Sequence, residues 1–298
     1  MPPSTETRTP PLVHIASHGY RASINPAGAE LMSLDHDGRP LLWPGDANSW
    51  AERAPVLFPT IGLVTNGEIR VDGRTYPMPP HGFAKRSLFT VTASEPDRCT
   101  LTLEATAATR EHYPFAFRLQ LDYSLGAEGL RIAATITNPG REALPASFGF
   151  HPGFRWPLEA GVQKDSYTVR FADDRRLATK RPVQGFFTDE STVIDVPDGH
   201  LALQDDLFAG GGLFVVAPES SEVRFGSPAG KIALRIAYKN CPDVMLWMKP
   251  GAGFLCIEPW HGRPDPAGFA DDFKRKPGLA TIPPGASTVV TMTVGVDE

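Results

Sequence analysis

The stretch FRLQLDYSLGAEGLRIAATITN, residues 117–138, decides the fold class. Phe117, Leu119, Leu121 and Tyr123 alternate with polar neighbours, which sends the apolar set to one face of an extended strand. Leu130, Ile132, Ala134 and Ile136 repeat the alternation, and GAEG between the two runs reads as the turn of a hairpin. Working outward, TLTLEA at 100–105, KIALRIAY at 231–238 and TVVTMTVG at 288–295 carry the same period. YRASINP, AELMSL and LLW do so before residue 45, with NPAG and DHDG as turns. Helical periodicity is scarce, because 28 glycines and 30 prolines interrupt almost every long stretch. Short helices are expected only at DANSWAER, 46–53, and GFADDFKR, 268–275. The expectation is an all-β chain: a large antiparallel β-sandwich with few short helices.

Size and composition narrow the classes further. The 298 residues hold 29 basic and 34 acidic side chains, for a net charge of -5, without a basic run that could track phosphates. Nucleic acid is not an expected partner. No stretch approaches the roughly eighteen apolar residues of a membrane-crossing helix. The start, MPPSTETRTPPLV, lacks the charged lead and apolar core of a signal peptide, so residues 1–12 read as a disordered lead. Residues 13–298 read as one domain, cytoplasmic, with Cys99, Cys241 and Cys256 as ordinary buried thiols and no disulfide framework.

Four segments depart from strand-and-turn grammar: SWAERAPVLFP, PPHGFAKR, FGFHPGF and FLCIEPWHG. In the last, GFLCI is a continuous apolar run of the kind found in a strand buried on both faces, and it ends at Glu258. A carboxylate there loses solvent, its pKa rises, and it becomes a proton acceptor suited to neutral pH; pairing with an arginine at a sheet end is the alternative. His151, in FGFHPGF, precedes Pro152 and is therefore held extended, and Gly149 and Gly153 are expected to let the backbone turn sharply about it. An immobilised imidazole suits a proton donor, although a core histidine bonded to a carbonyl has the same sequence signature. His81 sits where a loop enters a strand and is a candidate hydrogen-bond donor to a ligand. Arg53 precedes an apolar run, where a guanidinium needs a carboxylate or a polar ligand. A solvent-facing loop residue is the alternative for both. The histidines are isolated, without HxH or HExxH spacing, so no metal is expected. The glycine cluster at 209–214 lacks the following helix and the Lys-Ser/Thr of a phosphate loop, and reads as a turn.

In their order along the chain, ERAPVLFPTIG, HGFAK, FGFHPGF and KPGAGFLCIEPWHG resemble the aldose 1-epimerase (galactose mutarotase-like) superfamily, in its shorter bacterial branch related to hexose-6-phosphate 1-epimerases. The likeness runs from about residue 14 to 296. It implies a β-sandwich of the galactose mutarotase-like supersandwich type with a sugar cleft, an isomerase that needs no cofactor, and an aldohexose, free or phosphorylated, as its small-molecule partner. By resemblance His151 is the general acid, Glu258 the general base, and His81 and Arg53 hold sugar oxygens. Trp260, Trp156 and Phe83 are candidates to pack against an apolar sugar face. One departure stands out: where such proteins often carry a cleft aspartate, this chain has Gly211 or Gly212, with Asp205 and Asp206 upstream as candidate replacements. Lys85, Arg86, Arg53 and Arg74 are the candidate anion pocket of a phosphosugar enzyme. A catalytically silent sugar-binding or sensing protein on the same fold is the alternative from another class, with monomer and dimer both open.

Overall fold

The computed structural model describes residues 10–297. Most of the expected disordered lead, residues 1–9, thus lies outside the described residues. Two large sheets dominate. The nine-stranded sheet runs His200–Ala202, Thr168–Phe171, Glu222–Gly226, Ala233–Lys239, Ser287–Asp297, Gly129–Thr137, Arg118–Gly126, Arg98–Glu104 and Thr90–Ser94. The eight-stranded sheet runs Thr192–Asp195, Arg176–Lys180, Leu213–Val216, Asp243–Trp247, Phe254–His261, Phe148–Phe150 and Val56–Leu57, with Gly153–Arg155 also paired to Phe254–His261. A four-stranded sheet of Val13–Ser17, Tyr20–Asn25, Glu30–His36 and Arg39–Pro40 stands beside them.

The hairpin forms as the alternation dictates. Arg118 pairs with Thr137 and Gly126 with Gly129, so the register closes on a loop of Ala127 and Glu128. Leu119, Leu121, Tyr123, Leu125, Leu130, Ile132, Ala134 and Ile136 are all buried in one core. Gly129 is needed at the turn, since its φ is +103° and a Cβ would meet the Val294 carbonyl.

Val244, Leu246, Leu255 and Ile257 of the eight-stranded sheet join that same core, which is the apolar filling of a β-sandwich. The opposite face of this sheet is covered too. Phe214, Met245 and Trp260 pack there with Leu57, Ile61 and Phe187 in a second, smaller cluster. Phe254–His261 is therefore buried on both sides, as the continuous apolar run requires.

Helix is sparser than expected. DANSWAER is a turn: Asp46 Oδ1 accepts from the Asn48 N–H and the Asp46 carbonyl from Ser49, the side-chain competition that disfavours helix after an aspartate. GFADDFKR contributes one 3-10 turn, Phe273–Arg275, capped by Asp272. The single α-helix among the described residues is the four-residue Ala107–Arg110.

Candidate active site

Register places the pair. Phe148 faces His261 and Gly149 faces Trp260 at one end of a strand pair, while Gly153 faces Cys256 and Phe154 faces Leu255 at the other. Both ends count to one register, so His151 stands directly opposite Glu258. Pro152 and Pro259 have no N–H to give the ladder, which is why the pairing opens between its two ends while the alignment persists. The Ile257 N–H still reaches the Pro152 carbonyl at 3.3 Å. Directly opposed residues share a face, and His151 Nδ1 lies 3.4 Å from Glu258 Oε2.

The flanking glycines act otherwise than expected. Neither Gly149 nor Gly153 has a positive φ. A Cβ on Gly149 would come within 2.6 Å of the Trp260 ring, and one on Gly153 within 2.7 Å of Trp50. They admit two indoles against the strand and do not turn the chain. The left-handed residue is His81, with φ +65°, a conformation costly for a side chain with a Cβ. A two-point clamp to Gly62 holds it: the His81 N–H donates to the Gly62 carbonyl at 2.8 Å, and the Gly62 N–H donates to His81 Nδ1 at 3.2 Å. That second bond assigns the ring proton of neutral His81 to Nε2. The His81 loop docks on the edge strand Val56–Leu57 through the Phe58 N–H to the His81 carbonyl. Glu258 and His151 thus lie on adjacent strands, and the loop docked on the edge strand brings the His81 ring to 5.7 Å from that of His151.

Two tryptophans that the sequence reading did not single out complete the wall. Trp50 stacks on His151 at 5.1 Å between centroids, and Trp247 meets His151 edge-on at 5.7 Å, as His81 does. Trp247 stands two residues along its strand from Met245, the residue opposite Glu258, and so shares its face. Both indoles are partly exposed, whereas Trp156, Phe83 and Trp260 are buried. The apolar surface offered to a ligand is therefore Trp50 and Trp247, and the three aromatic residues expected for that task are core. A Trp next to the Ala-Glu-Arg run at 51–53 is the only sequence signal for Trp50; Trp247 needed the strand order.

Burial sets the electrostatics. The Glu258 side chain is 1% exposed and that of His151 11%. Loss of solvent pushes Glu258 well above the carboxylate range, and the Trp260 indole beside it opposes this only in part, its geometry falling short of a hydrogen bond. Loss of solvent, with His81 and Lys85 nearby, pushes His151 well below the usual imidazole range. The same causes, burial first and then Lys85 and Arg86, bring His81 down to about 3. With ordinary values of 4.5 and 6.5 a Glu–His pair would hold little proton at pH 7. Burial moves the two values in opposite directions, so Glu258 holds a proton more firmly than a free carboxylate and His151 less firmly than a free imidazole.

The remaining expectations divide. Arg53 is brought next to the pair by its backbone, its carbonyl accepting from the Gly153 N–H at 2.8 Å. Its guanidinium lies over Gly45, and Glu30 accepts from the Arg53 backbone N–H instead of from the side chain. Asp205 is exposed and salt-bridged to Lys164 at 2.8 Å, and Asp206 is exposed. A Cβ on Gly212 would meet Met245 Sδ at 2.5 Å, so the thioether fills the space beside Glu258 that a side chain at 212 would need. Of the four basic residues expected to line an anion pocket, Arg74 stands apart and Lys85 is engaged by a carboxylate. Lys85 belongs to the 3-10 turn Ala84–Arg86, not to a strand, and is held by Glu52 at 2.8 Å. Arg74 lines a separate cavity of about 630 Å³ with Arg110 and Arg141.

The β-sandwich has known counterparts. The galactose mutarotase related enzyme of Lactobacillus acidophilus superposes with a TM-score of 0.90 at 24% identity, covering 97% of this chain and 98% of its own. A galactose mutarotase-like protein of Lactobacillus casei superposes at 0.88 with 29% identity over 96% and 100% of the two chains. Protein LacX of Lactococcus lactis subsp. lactis is 26% identical over 251 residues, 79% of this chain and 82% of LacX. The sequence model of the aldose 1-epimerases matches residues 11–292, from before the first strand to within the last, and with that span the chain belongs to the aldose 1-epimerase family.

Proposed function

We propose that the protein interconverts the α and β anomers of a free aldohexose, with His151 and Glu258 exchanging the protons. Opening a pyranose requires the C1 hydroxyl to lose a proton while the ring oxygen gains one. Passing the resident proton from Glu258 to His151 Nδ1 gives the reactive carboxylate–imidazolium form, in which Glu258 takes the hydroxyl proton and His151 gives its Nε2 proton to the ring oxygen as the C1–O5 bond breaks. The open aldehyde rotates about C1–C2, and closure runs the same transfers in reverse. The net proton count on the pair does not change, so one resident proton suffices for every turnover. The observation that carries this reading is the buried His151–Glu258 opposition at 3.4 Å.

His81 fits a fixed donor: its Nδ1 is engaged by Gly62, so its Nε2–H can bond a sugar oxygen, and its depressed pKa keeps it from joining the proton traffic. Trp50 and Trp247 supply flat surfaces for the C–H face of a pyranose. A positioned acid and base each contribute about 10²- to 10⁴-fold. No cofactor enters the scheme. The Glu52 carboxylate that engages Lys85, and the separate place of Arg74, favour the free sugar over its 6-phosphate. A silent sugar-binding role would leave a buried carboxyl facing an imidazole without purpose and at a cost in stability.

The test follows freshly dissolved α-D-glucose, α-D-galactose and α-D-glucose 6-phosphate to anomeric equilibrium by polarimetry or NMR. Wild type is expected to accelerate a free hexose and Glu258→Gln to lose about 10²- to 10⁴-fold of that acceleration. Equilibration no faster than in buffer for all three sugars would refute the proposal, and preference for the phosphate would refute its substrate.

A further inference from the structure

The sheet register that opposes His151 to Glu258 also sets Cys256 on the same face, two residues before Glu258 in its strand. Cys256 is a free thiol with no exposed surface. One ligand atom from each of the three side chains lies within 4.8 Å of the other two. His151 Nδ1 and Glu258 Oε2 are buried without a hydrogen-bond partner, although they face each other at 3.4 Å. We propose that Cys256, His151 and Glu258 form a binding site for one thiophilic divalent cation, Zn²⁺ or its analogues, and that filling it switches the proton-transfer pair off.

The separation that makes a poor hydrogen bond makes a good coordination edge. Bonds of about 2.0–2.1 Å to nitrogen and carboxylate oxygen set roughly 3.3–3.4 Å between two ligand atoms at a tetrahedral corner. A bond of about 2.3 Å to sulfur asks for edges of roughly 3.5–3.6 Å, so Cys256 has at most roughly 1.3 Å to close. Charge balances as well. Thiolate and carboxylate neutralise a dication and the imidazole stays neutral, so the loaded site holds no net charge in a place where net charge is costly. Sulfur and imidazole ligands select zinc-like ions over Mg²⁺ and Ca²⁺, which favour oxygen. The fourth corner is free for water or a sugar oxygen.

Linear spacing could not show this site, because no two of its ligands form an HxH, HExxH or CxxC motif; adjacent strands bring them together. His151, the member with the most exposed side chain, marks the way in. A bound cation takes the lone pair of His151 Nδ1 and the carboxylate of Glu258, leaving neither free to move a proton. Binding rests on the geometry alone, while the switch rests on the epimerase reading.

The experiment adds Co²⁺ and then Zn²⁺ to the full chain freed of metal by a chelator. Expected are a thiolate-to-cobalt charge-transfer band at one equivalent, the strong visible absorption of four-coordinate Co²⁺, displacement of both by Zn²⁺, and at least about tenfold slower anomer interconversion that a chelator restores. Cys256→Ser and Cys256→Ala should keep the basal rate, lose the charge-transfer band and need at least about tenfold more Zn²⁺ for the same inhibition; Cys99→Ser should behave as wild type. Wild type without a charge-transfer band at saturating Co²⁺ overturns the site, whether or not the Cys256 variants fold. So does a band or an inhibition unchanged in both Cys256 variants. A clear band with no effect on an active enzyme overturns the switch. If metal-free protein interconverts no sugar, the proposed function fails while the cobalt spectrum still decides the site.

Discussion

The hairpin Arg118–Gly126 with Gly129–Thr137 and the strand pair 148–155 with 254–261 are both antiparallel, yet one obeys every rule of sheet construction and the other breaks several. The hairpin alternates buried and half-exposed side chains, holds its register over the whole length and closes on a two-residue loop. The second pair carries two prolines, two glycines and two opposed ionisable residues, His151 and Glu258, and its central strand is buried on both faces. Alternation suffices to build a wall. A paired acid and base needs a strand without a wet face, so that solvent cannot set the pKa values, and glycines where indoles must approach.

Leu121→Ala, in the hairpin, should show the largest effect on stability. It deletes a fully buried side chain and is expected to cost about 2–5 kcal/mol in denaturant unfolding, with kcat of the folded protein unchanged. A fall in kcat would mean that the two regions are not separable. Gly153→Ala sharpens the contrast from the other side: its Cβ would press on the Trp50 ring, for about 1–3 kcal/mol of stability and a larger loss in sugar affinity, read as KM. An unchanged KM would remove Trp50 from the sugar surface.

Glu258→Gln should act on stability in the opposite direction to Leu121→Ala. The folded pKa of Glu258 is raised above its unfolded value of 4.5, so as pH rises the unfolded chain releases this proton before the folded chain does. Stability from this group is present below the unfolded value and is lost as pH rises through the folded one. The amide carries no such penalty. Its Tm is expected to equal or exceed that of wild type at pH 7–8, with the advantage shrinking toward pH 4; a constant deficit would show that Glu258 is a structural member of the sheet.

What could be read from the residues alone follows the same division. Hairpin register, all-β class and the burial of FLCIEPW depend on local period, and local period is printed in the sequence. DANSWAER misled because its polar start suits both a helix and an aspartate turn, and the Asp46 side chain decides between them only through its bond to Asn48. The likeness of four motifs pointed to His151, Glu258, His81 and Arg53, and the structure brings the first three onto neighbouring positions. That Gly149 and Gly153 make room for rings, that Met245 fills the space beside Gly212, and that Trp50 and Trp247 wall the pair all depend on which strands lie side by side. Pairing between distant strands leaves no local signal.

The central claim, that His151 and Glu258 hold one proton between them and work as a unit, is tested most directly by a double-mutant cycle on the rate of anomer interconversion. His151→Gln and Glu258→Gln are each expected to lower kcat by about 10²- to 10⁴-fold, and the double variant by no more than about the larger of the two losses. Losses that multiply in the double variant would show two groups acting independently and would contradict the account.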